Sequence, residues 1–246
     1  MPRIVKPLPT YTKGEELFNA ISHGVGALLA LAALPIMIVW SAFYGDVWSI
    51  VSCSVYGAML LLLYVMSTIY HALRIEKAKR VFQIIDHCSI FLLIAGTYTP
   101  YTLVTLRREG AWGWVLFGVV WAAAIGGIVL NAVDMHRFKV ISMIFYLCMG
   151  WSVVVAFVPL IEVFSGPGLT LMIVGGVCYT VGAVLYGLGK KDQVQCMRCG
   201  TCSCWREVFC ISFPSCSMSC QTGDRQCRDG INTLFRKQKG DRYDSV

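Results

Sequence analysis

Long apolar runs, separated by short polar breaks, make up most of the first 190 residues of the chain. A transmembrane helix needs about 20 mostly apolar residues, and six runs are long enough. They cover residues 17–43, 47–70, 82–106, 112–133, 140–160 and 169–188. The breaks hold turn-forming and charged residues, such as Ser-Gly-Pro-Gly at 165–168. Since the runs lack an alternation of period two, the pattern predicts an all-α, polytopic transmembrane helix bundle with six spans.

The lysine and arginine residues predict the orientation of this bundle. If the N-terminus lies in the cytoplasm, the inner segments carry most of the basic residues: Arg3, Lys6, Lys13, Arg74, Lys77, Lys79, Arg80, Arg137, Lys139, Lys190 and Lys191. The outer loops then carry only Arg107 and Arg108, which agrees with the tendency of basic loops to stay inside. We therefore expect a multi-pass protein of the cell membrane. Its N-terminal segment 1–16 and its tail 191–246 are both expected in the cytoplasm, flanking a bundle over 17–190.

Composition supports a membrane protein. The mean hydropathy is +0.64 and the charged fraction is 14%, whereas soluble domains carry roughly a quarter charged residues. A net charge of +7 would also suit a nucleic-acid partner. However, the basic residues fall between the apolar runs, where they orient helices. The expected partners are therefore membrane lipids, and no nucleic acid is expected.

Ionisable residues close to a transmembrane run are candidates for function. Ser67 and His71 lie four apart, hence on one helix face, and Asp86 and His87 are expected to open the third helix. Both pairs lie at predicted cytoplasmic ends, so His71 and Asp86 can meet at one depth. A neutral imidazole is a good zinc ligand, and a carboxylate can bind the metal or orient a ligand. The spacing alone leaves a second interpretation open: an interfacial histidine beside a serine, and an aspartate stabilised by the helix dipole.

The two remaining histidines are interpreted without a site. His23 lies near the cytoplasmic start of the first predicted helix and is read as an interfacial side chain. His136 lies in the basic loop DMHRFK and is expected to be solvated. Neither is included in the predicted site.

Three motifs resemble the hemolysin III family. They are GEELFNAISHGVGALLA from residue 14, STIYHAL from residue 67 and IDHCSIFLLIAGTYTP from residue 85. The motifs occur in order on the expected helices, and the resemblance covers residues 14 to about 190. That family belongs with the progestin and adipoQ receptors and the alkaline ceramidases in a larger membrane superfamily. The resemblance implies a bundle of seven helices with a zinc site on its cytoplasmic side.

The family pattern also implies roles for particular residues. It has a serine and a histidine four apart on the second helix, an aspartate opening the third, and a His-x-x-x-His on the seventh. Ser67, His71 and Asp86 match the first three positions, which implies that His71 is a metal ligand supported by Asp86 and Ser67 as catalytic residues. The last two positions are unmatched, because the chain has no seventh apolar run and no histidine after His136.

In place of a seventh span the tail holds CMRCGTCSCWREVFCISFPSCSMSC, residues 196–220. Cys196-x-x-Cys199 and Cys202-x-Cys204 permit a zinc knuckle, although the remaining cysteines keep no matching spacing. A disulfide framework is a second interpretation, although disulfides rarely persist in the cytoplasm. Residues after about 192 lack helical periodicity and are expected to form no fixed domain.

The genetic code permits a third interpretation, in which the tail is a seventh helix read out of frame. One frame over, every cysteine codon contributes to a codon for Leu, Met or Val, while serine and phenylalanine codons give Phe, Leu, Ile or Val. From Cys196 onward one such frame permits HAVWH, which is a His-x-x-x-His. It continues with the apolar stretch LFVLAGSFLHFFSIMLYVM and a stop codon at 223–224. We therefore expect a frameshift, natural or in the gene sequence, and weak or absent zinc binding by this chain.

Three functions remain open from the sequence. The ceramidase relatives imply a zinc-dependent membrane hydrolase with a lipid substrate. The name of the family implies a pore-forming, cytolytic protein, although the predicted spans offer few polar faces to line a channel. A receptor-like protein without catalysis is the third.

Overall fold

The computed structural model describes residues 11–156, together with the helical residues 173, 174, 176, 177, 180 and 181. The described chain is helical and holds no strand. Its helices are α1 (Lys13–Tyr44), α2 (Val47–Ala72), α3 (Glu76–Pro100), α4 (Trp112–Asp134) and α5 (Lys139–Trp151). A π-helical turn (Tyr101–Thr105) and a 3-10 turn (Leu106–Glu109) follow α3, and a 3-10 turn (Ser152–Ala156) follows α5.

Local sequence explains where the first two helices begin. Thr12 precedes α1 and accepts a hydrogen bond from the backbone N–H of Glu15, while the Glu15 carboxylate accepts one from the Thr12 N–H. Asp46 and Ser49 form the same reciprocal arrangement at the start of α2. Such capping boxes satisfy backbone donors that the first turn of a helix leaves unpaired. The two residues Gly45 and Asp46 therefore suffice to reverse the chain between the helices.

Small residues let the helices pack closely. A Cβ atom at Gly26 on α1 would lie 2.7 Å from the ring of Tyr64 on α2. One at Gly96 on α3 would lie 3.0 Å from the Cβ of Met59. Two cores result: α1 and α2 enclose Tyr56, Leu60 and Tyr64, and the later helices enclose the other. The second core holds Phe91, Ala95, Tyr98, Val120, Ala124 and Met149.

The outer surface of the bundle is apolar, as a lipid-facing surface must be. Leu28 and Ile36 on α1 expose 68% and 65% of their areas, and Val119 on α4 exposes 57%. Four described helical stretches are long and apolar enough to cross a membrane: Lys13–Tyr44, Val47–Ala72, Glu76–Arg108 and Trp112–Asp134. The prediction of an all-α, polytopic helix bundle is therefore confirmed.

The predicted span boundaries agree with the structure to different degrees. The first, second and fourth spans match α1, α2 and α4 closely. The fifth, predicted over 140–160, is a 13-residue α-helix that continues as a 3-10 turn. The sixth, predicted over 169–188, lies outside the described residues except for the six helical ones named above. The boundary at 190/191 and the tail, including its expected lack of a fixed domain, also lie outside them.

One predicted boundary is wrong. Asp86 was expected to open the third helix, but α3 begins at Glu76, ten residues earlier. The segment EKAKRV is polar and was excluded from the apolar run, yet its residues favour a helix. Asp86 therefore lies more than two turns inside α3. A stabilising interaction with the helix N-terminus does not explain its position, because that effect decays within the first turn.

The two ends of the bundle differ in chemistry. The histidine end is the one where α1 and α3 begin and α2 ends, and it holds His23, His71 and Asp86. At the arginine end, where α1 ends and α2 begins, Arg107 and Arg108 pair with Asp46.

Candidate functional site at the histidine end

His71 is the centre of the candidate site. It lies in the last turn of α2 and exposes only 3% of its area. Its Nδ1 atom is buried and contacts no hydrogen-bond partner among the described residues. Buried polar atoms are normally satisfied, so an unpartnered one calls for an explanation. In the tautomer that carries its hydrogen on Nε2, Nδ1 has a free lone pair and is suited to bind a metal ion or a polar ligand.

His23 lies beside His71, which the sequence analysis did not anticipate. The two rings stack with their centres 5.8 Å apart and their planes 13° from parallel. His23 Nδ1 lies 2.8 Å from the backbone oxygen of Asn19. Because a carbonyl oxygen only accepts, Nδ1 must carry the hydrogen, and in the neutral ring Nε2 then keeps its lone pair. This arrangement orients the ring, as backbone carbonyls do for many metal-binding histidines.

The sequence does carry a signal for His23. Buried positions on α1 are Asn19, Gly26, Ala30, Met37 and Ser41. His23 lies four residues after Asn19 and three before Gly26, on the face of α1 that packs against α2. A seam of small residues, rather than the polarity of the histidine alone, is the pattern that would have located it.

Ser67 and Asp86 lie together where α2 packs against α3. The Ser67 hydroxyl donates a hydrogen bond to the carboxylate of Asp86, joining α2 to α3. Ser67 exposes 5% of its area, and the Asp86 side chain 15%. His71 lies one helical turn from Ser67 on the same face of α2. The structure therefore brings the three predicted residues to one end of the bundle, in a largely buried environment.

His87 lies beside this carboxylate. Its Nδ1 lies 3.9 Å from Asp86 Oδ2 and donates to the backbone oxygen of Gln83 at 2.9 Å. His136, by contrast, is exposed, and its backbone N–H donates to Asp134 at 3.1 Å.

Residues at the start of α1 cover the site. The ring of Tyr11 meets His71 edge-on, with centres 6.0 Å apart. Glu16 forms an ion pair with Lys79 of α3. The Lys79 ammonium also lies 5.5 Å from the centre of the Tyr70 ring, which in turn lies 4.7 Å from His71. These contacts hold the beginning of α1 against His71.

A second polar network extends the site across α4 and α5. The Tyr146 hydroxyl donates to the backbone oxygen of His87 at 2.8 Å and accepts from the Asn131 amide at 3.4 Å. Ser142 donates to the Asn131 carbonyl oxygen at 2.6 Å. Asn131 is fully buried. The sequence does not predict this network, because a single asparagine or tyrosine near the end of an apolar run does not reveal its partner.

The donor set fits a zinc ion only in part. His71 Nδ1 and the Asp86 carboxylate are chemically suitable ligands. However, the described residues contain no group of three or more His, Cys, Asp and Glu side chains arranged to hold a metal. Catalytic zinc sites usually have three protein ligands, so this part of the chain supplies an incomplete set.

Fold and site together define a class: a multi-pass helical membrane protein with a buried polar cluster at one end of its bundle. A family described as haemolysin-III related matches residues 11–205. The chain belongs to this family, which confirms the resemblance of the three motifs. The match reaches residue 205, and so includes the first part of the cysteine-rich tail.

Individual relatives agree with this assignment. The chain is 44% identical over 172 residues to Hemolysin-3 of Bacillus cereus, covering 70% of this chain and 78% of the relative. It is also 44% identical over 176 residues to the Hemolysin-3 homolog of Bacillus subtilis (strain 168), covering 72% and 82%. The chain is 27% identical over 188 residues to the human monocyte to macrophage differentiation factor, covering 73% of each chain. This last relative supports placement in the superfamily that includes the progestin and adipoQ receptors.

Proposed function

We propose that the histidine end is a metal-dependent hydrolytic site for a lipid amide, facing the cytoplasm, and that this chain holds an incomplete version of it. The observation that carries the proposal is the buried, unpartnered Nδ1 of His71, one helical turn from the hydrogen-bonded pair Ser67 and Asp86. Ionisable groups inside a membrane bundle are costly and are retained for function.

The residues have distinct roles in this proposal. His71 is the metal ligand, through the nitrogen that has no hydrogen-bond partner among the described residues. A bound zinc ion would supply a water molecule activated by a lowered pKa of about 7. The Asp86 carboxylate would accept a hydrogen bond from that water, and Ser67 orients the Asp86 carboxylate through its hydrogen bond. His23 restricts the ring of His71 to one orientation by stacking on it.

A lipid is the substrate that the surroundings favour. The site lies where the transmembrane helices end, so the bond between a headgroup and an acyl chain would reach it from the bilayer. Near this end, Leu17 and Ile21 on α1 expose 62% and 58% of their areas, and Val81 on α3 exposes 56%. Exposed apolar side chains beside a buried polar cluster suit an amphiphilic substrate better than a soluble one.

The missing ligands are proposed to come from a seventh helix. Read one frame over, the tail permits a His-x-x-x-His followed by an apolar stretch. That motif would bring the ligand set to the three or more donors that catalytic zinc requires. In the chain as written, the metal site is proposed to be defective.

Hydrolysis can be tested with the frame-corrected chain in liposomes containing a fluorescent N-acyl lipid and zinc. Release of free fatty acid is expected, with at least a 100-fold loss in His71→Ala, since removing a metal ligand or its support typically costs this order of magnitude. Leu28→Ala, which changes a lipid-facing residue, is the matched control and should retain activity. Unaltered release by His71→Ala would reject the proposal.

A pore-forming function is the second candidate, favoured by the names of the two Bacillus relatives. A pore needs a polar path through the bundle. The centre of the described bundle is instead filled by apolar and aromatic side chains, including Leu60, Phe91 and Ala95. Dye release from loaded liposomes by the purified chain would favour the pore, whereas fatty-acid release without leakage favours the hydrolase.

A further inference from the structure

Ser52 carries a buried hydroxyl that has no partner in the part of the chain that the structure describes. It lies on α2, exposes none of its area, and its Oγ contacts no hydrogen-bond partner among the described residues. Other helical hydroxyls donate to the carbonyl four residues earlier. Ser54, Thr97 and Thr99 do so at 2.7, 2.7 and 2.9 Å. The Ser52 hydroxyl therefore does not use its own helix as an acceptor.

The pairing of α2 with α3 shows what Ser52 faces. Ser67 bonds to Asp86, and Asp46 at the start of α2 bonds to Arg107 at 3.2 Å. Between these contacts, a Cβ atom on Gly96 would lie 3.6 Å from Cα of Tyr56. In antiparallel helices, one turn back along one helix corresponds to one turn forward along the other. Ser52 precedes Tyr56 by one turn, so it lies level with the residue one turn after Gly96, which is Pro100.

Pro100 removes the usual donor of a backbone carbonyl at this level. Proline has no N–H, so the Gly96 carbonyl lacks the donor that residue i+4 supplies in an α-helix. The next N–H, that of Tyr101, donates to the Tyr98 oxygen instead. From Tyr101 to Thr105 the backbone continues as a π-helical turn, which packs against α2. A buried hydroxyl on α2 that has no partner among the described residues thus lies level with Pro100 of α3, where the Gly96 carbonyl lacks its usual α-helical donor.

We infer that a single water molecule binds between Ser52 Oγ and the Gly96 carbonyl and joins α2 to α3 where α3 changes from α to π winding. Water can donate to the carbonyl and accept from the hydroxyl at the same time, and buried water typically satisfies such otherwise unpaired groups. A cation is disfavoured here, because residues 47–75 and 87–108 contain no Asp or Glu to compensate its charge in the bilayer.

The direction in which Ser52→Ala changes the unfolding temperature tests this inference. If the hydroxyl holds a water, Ser52→Ala should lower the unfolding temperature in detergent by about 2–4 °C. If the hydroxyl is merely an unsatisfied polar group, Ser52→Ala removes a penalty, and the unfolding temperature should stay the same or rise, which would overturn the inference. Ser54→Ala is the matched control, since the Ser54 hydroxyl is satisfied within its own helix.

The second measurement asks whether the effect of Ser52→Ala on the unfolding temperature depends on Pro100. Pro100→Ala restores an N–H for the Gly96 carbonyl, so Ser52→Ala should lose most of its effect in that background. Equal effects in both backgrounds would overturn the inference. An experimental structure should also show density about 2.7–3.0 Å from both oxygens. Direct contact between the two oxygens, without density between them, would likewise reject the water.

Discussion

At the scale of single residues, the bond between Ser67 and Asp86 is the contact that assembles the candidate site from two helices. Ser67→Ala removes the donor to a largely buried carboxyl group, and leaving a buried acceptor without its partner costs about 1–3 kcal/mol. We expect the unfolding free energy in detergent to fall by that amount. Ser54→Ala, whose hydroxyl bonds within its own helix, should change it by less than about 0.5 kcal/mol. Equal effects of the two substitutions would show that the Ser67 hydroxyl does not bond to Asp86.

The shared face of Ser67 and His71 could be predicted from the sequence, because residues four apart in one helix lie on the same side. The role of these two residues and of Asp86 in a site stays a prediction. The contacts of His23 and Tyr146 could not be predicted, because they depend on how separate helices pack. Contacts between helices depend on small residues, such as Gly26, that allow close packing. The pattern of hydrophobicity does not show which small residues lie at a helix contact.

At the scale of helices, Gly26 controls the approach of α1 to α2. A Cβ atom at this position would lie 2.7 Å from the Tyr64 ring, so Gly26→Ala must push the helices apart. Overpacking of this kind costs about 1–3 kcal/mol, and the same shift would separate His23 from His71. In Gly118→Ala on α4, where nothing lies within 4 Å, stability should instead hold or rise by up to about 1 kcal/mol. A gain in Gly26→Ala comparable to that of the control would contradict the observed packing.

The arginine end links the α1–α2 and α3–α4 connections through Asp46. Burial raises the pKa of the Asp46 carboxyl, but hydrogen bonds from Ser49 and the charges of Arg108 and Arg107 together hold that pKa below its usual range. A folded-state pKa below the unfolded one stabilises the protein above the unfolded value of about 3.9, and this contribution is lost as pH falls through the lower, folded value.

Asp46→Asn isolates this contribution, because asparagine can still cap α2. At pH 7 the substitution should cost less than about 1 kcal/mol, since the Asp46 side chain is 35% exposed and solvent screens the pair. Unfolding temperatures measured from pH 7 down to pH 3 should converge for the two proteins below about pH 4. A difference that grows toward low pH would contradict the direction of the shift.

Some helix boundaries could be predicted from the sequence and others could not. α1, α2 and α4 match the apolar runs because capping and turn residues lie where each of these runs begins or ends. α3 starts earlier than its apolar run because a polar first stretch can be helical outside the bilayer. Its π-helical turn follows Pro100, whose effect on winding depends on the neighbouring helices rather than on the sequence alone.

At the scale of the whole molecule, the orientation of the bundle remains a prediction of its basic residues. A reporter active only in the cytoplasm, fused after Lys191, should be active, because six spans return the chain to the side of its N-terminus. The same reporter fused after Gly110, in the connection at the arginine end, should be inactive. The reverse pair of results would place the histidine end on the outer side of the membrane.

The central claim is that this chain carries part of a zinc site whose remaining ligands lie in a frame-shifted seventh helix. The direct measurement is zinc content per protein for three purified proteins. These are the chain truncated after Lys191, which excludes the tail cysteines, the frame-corrected chain, and the frame-corrected chain with His71→Ala. We expect about one zinc in the corrected chain, and far less in both the truncated chain and the His71→Ala variant. Stoichiometric zinc in all three proteins would contradict the claim.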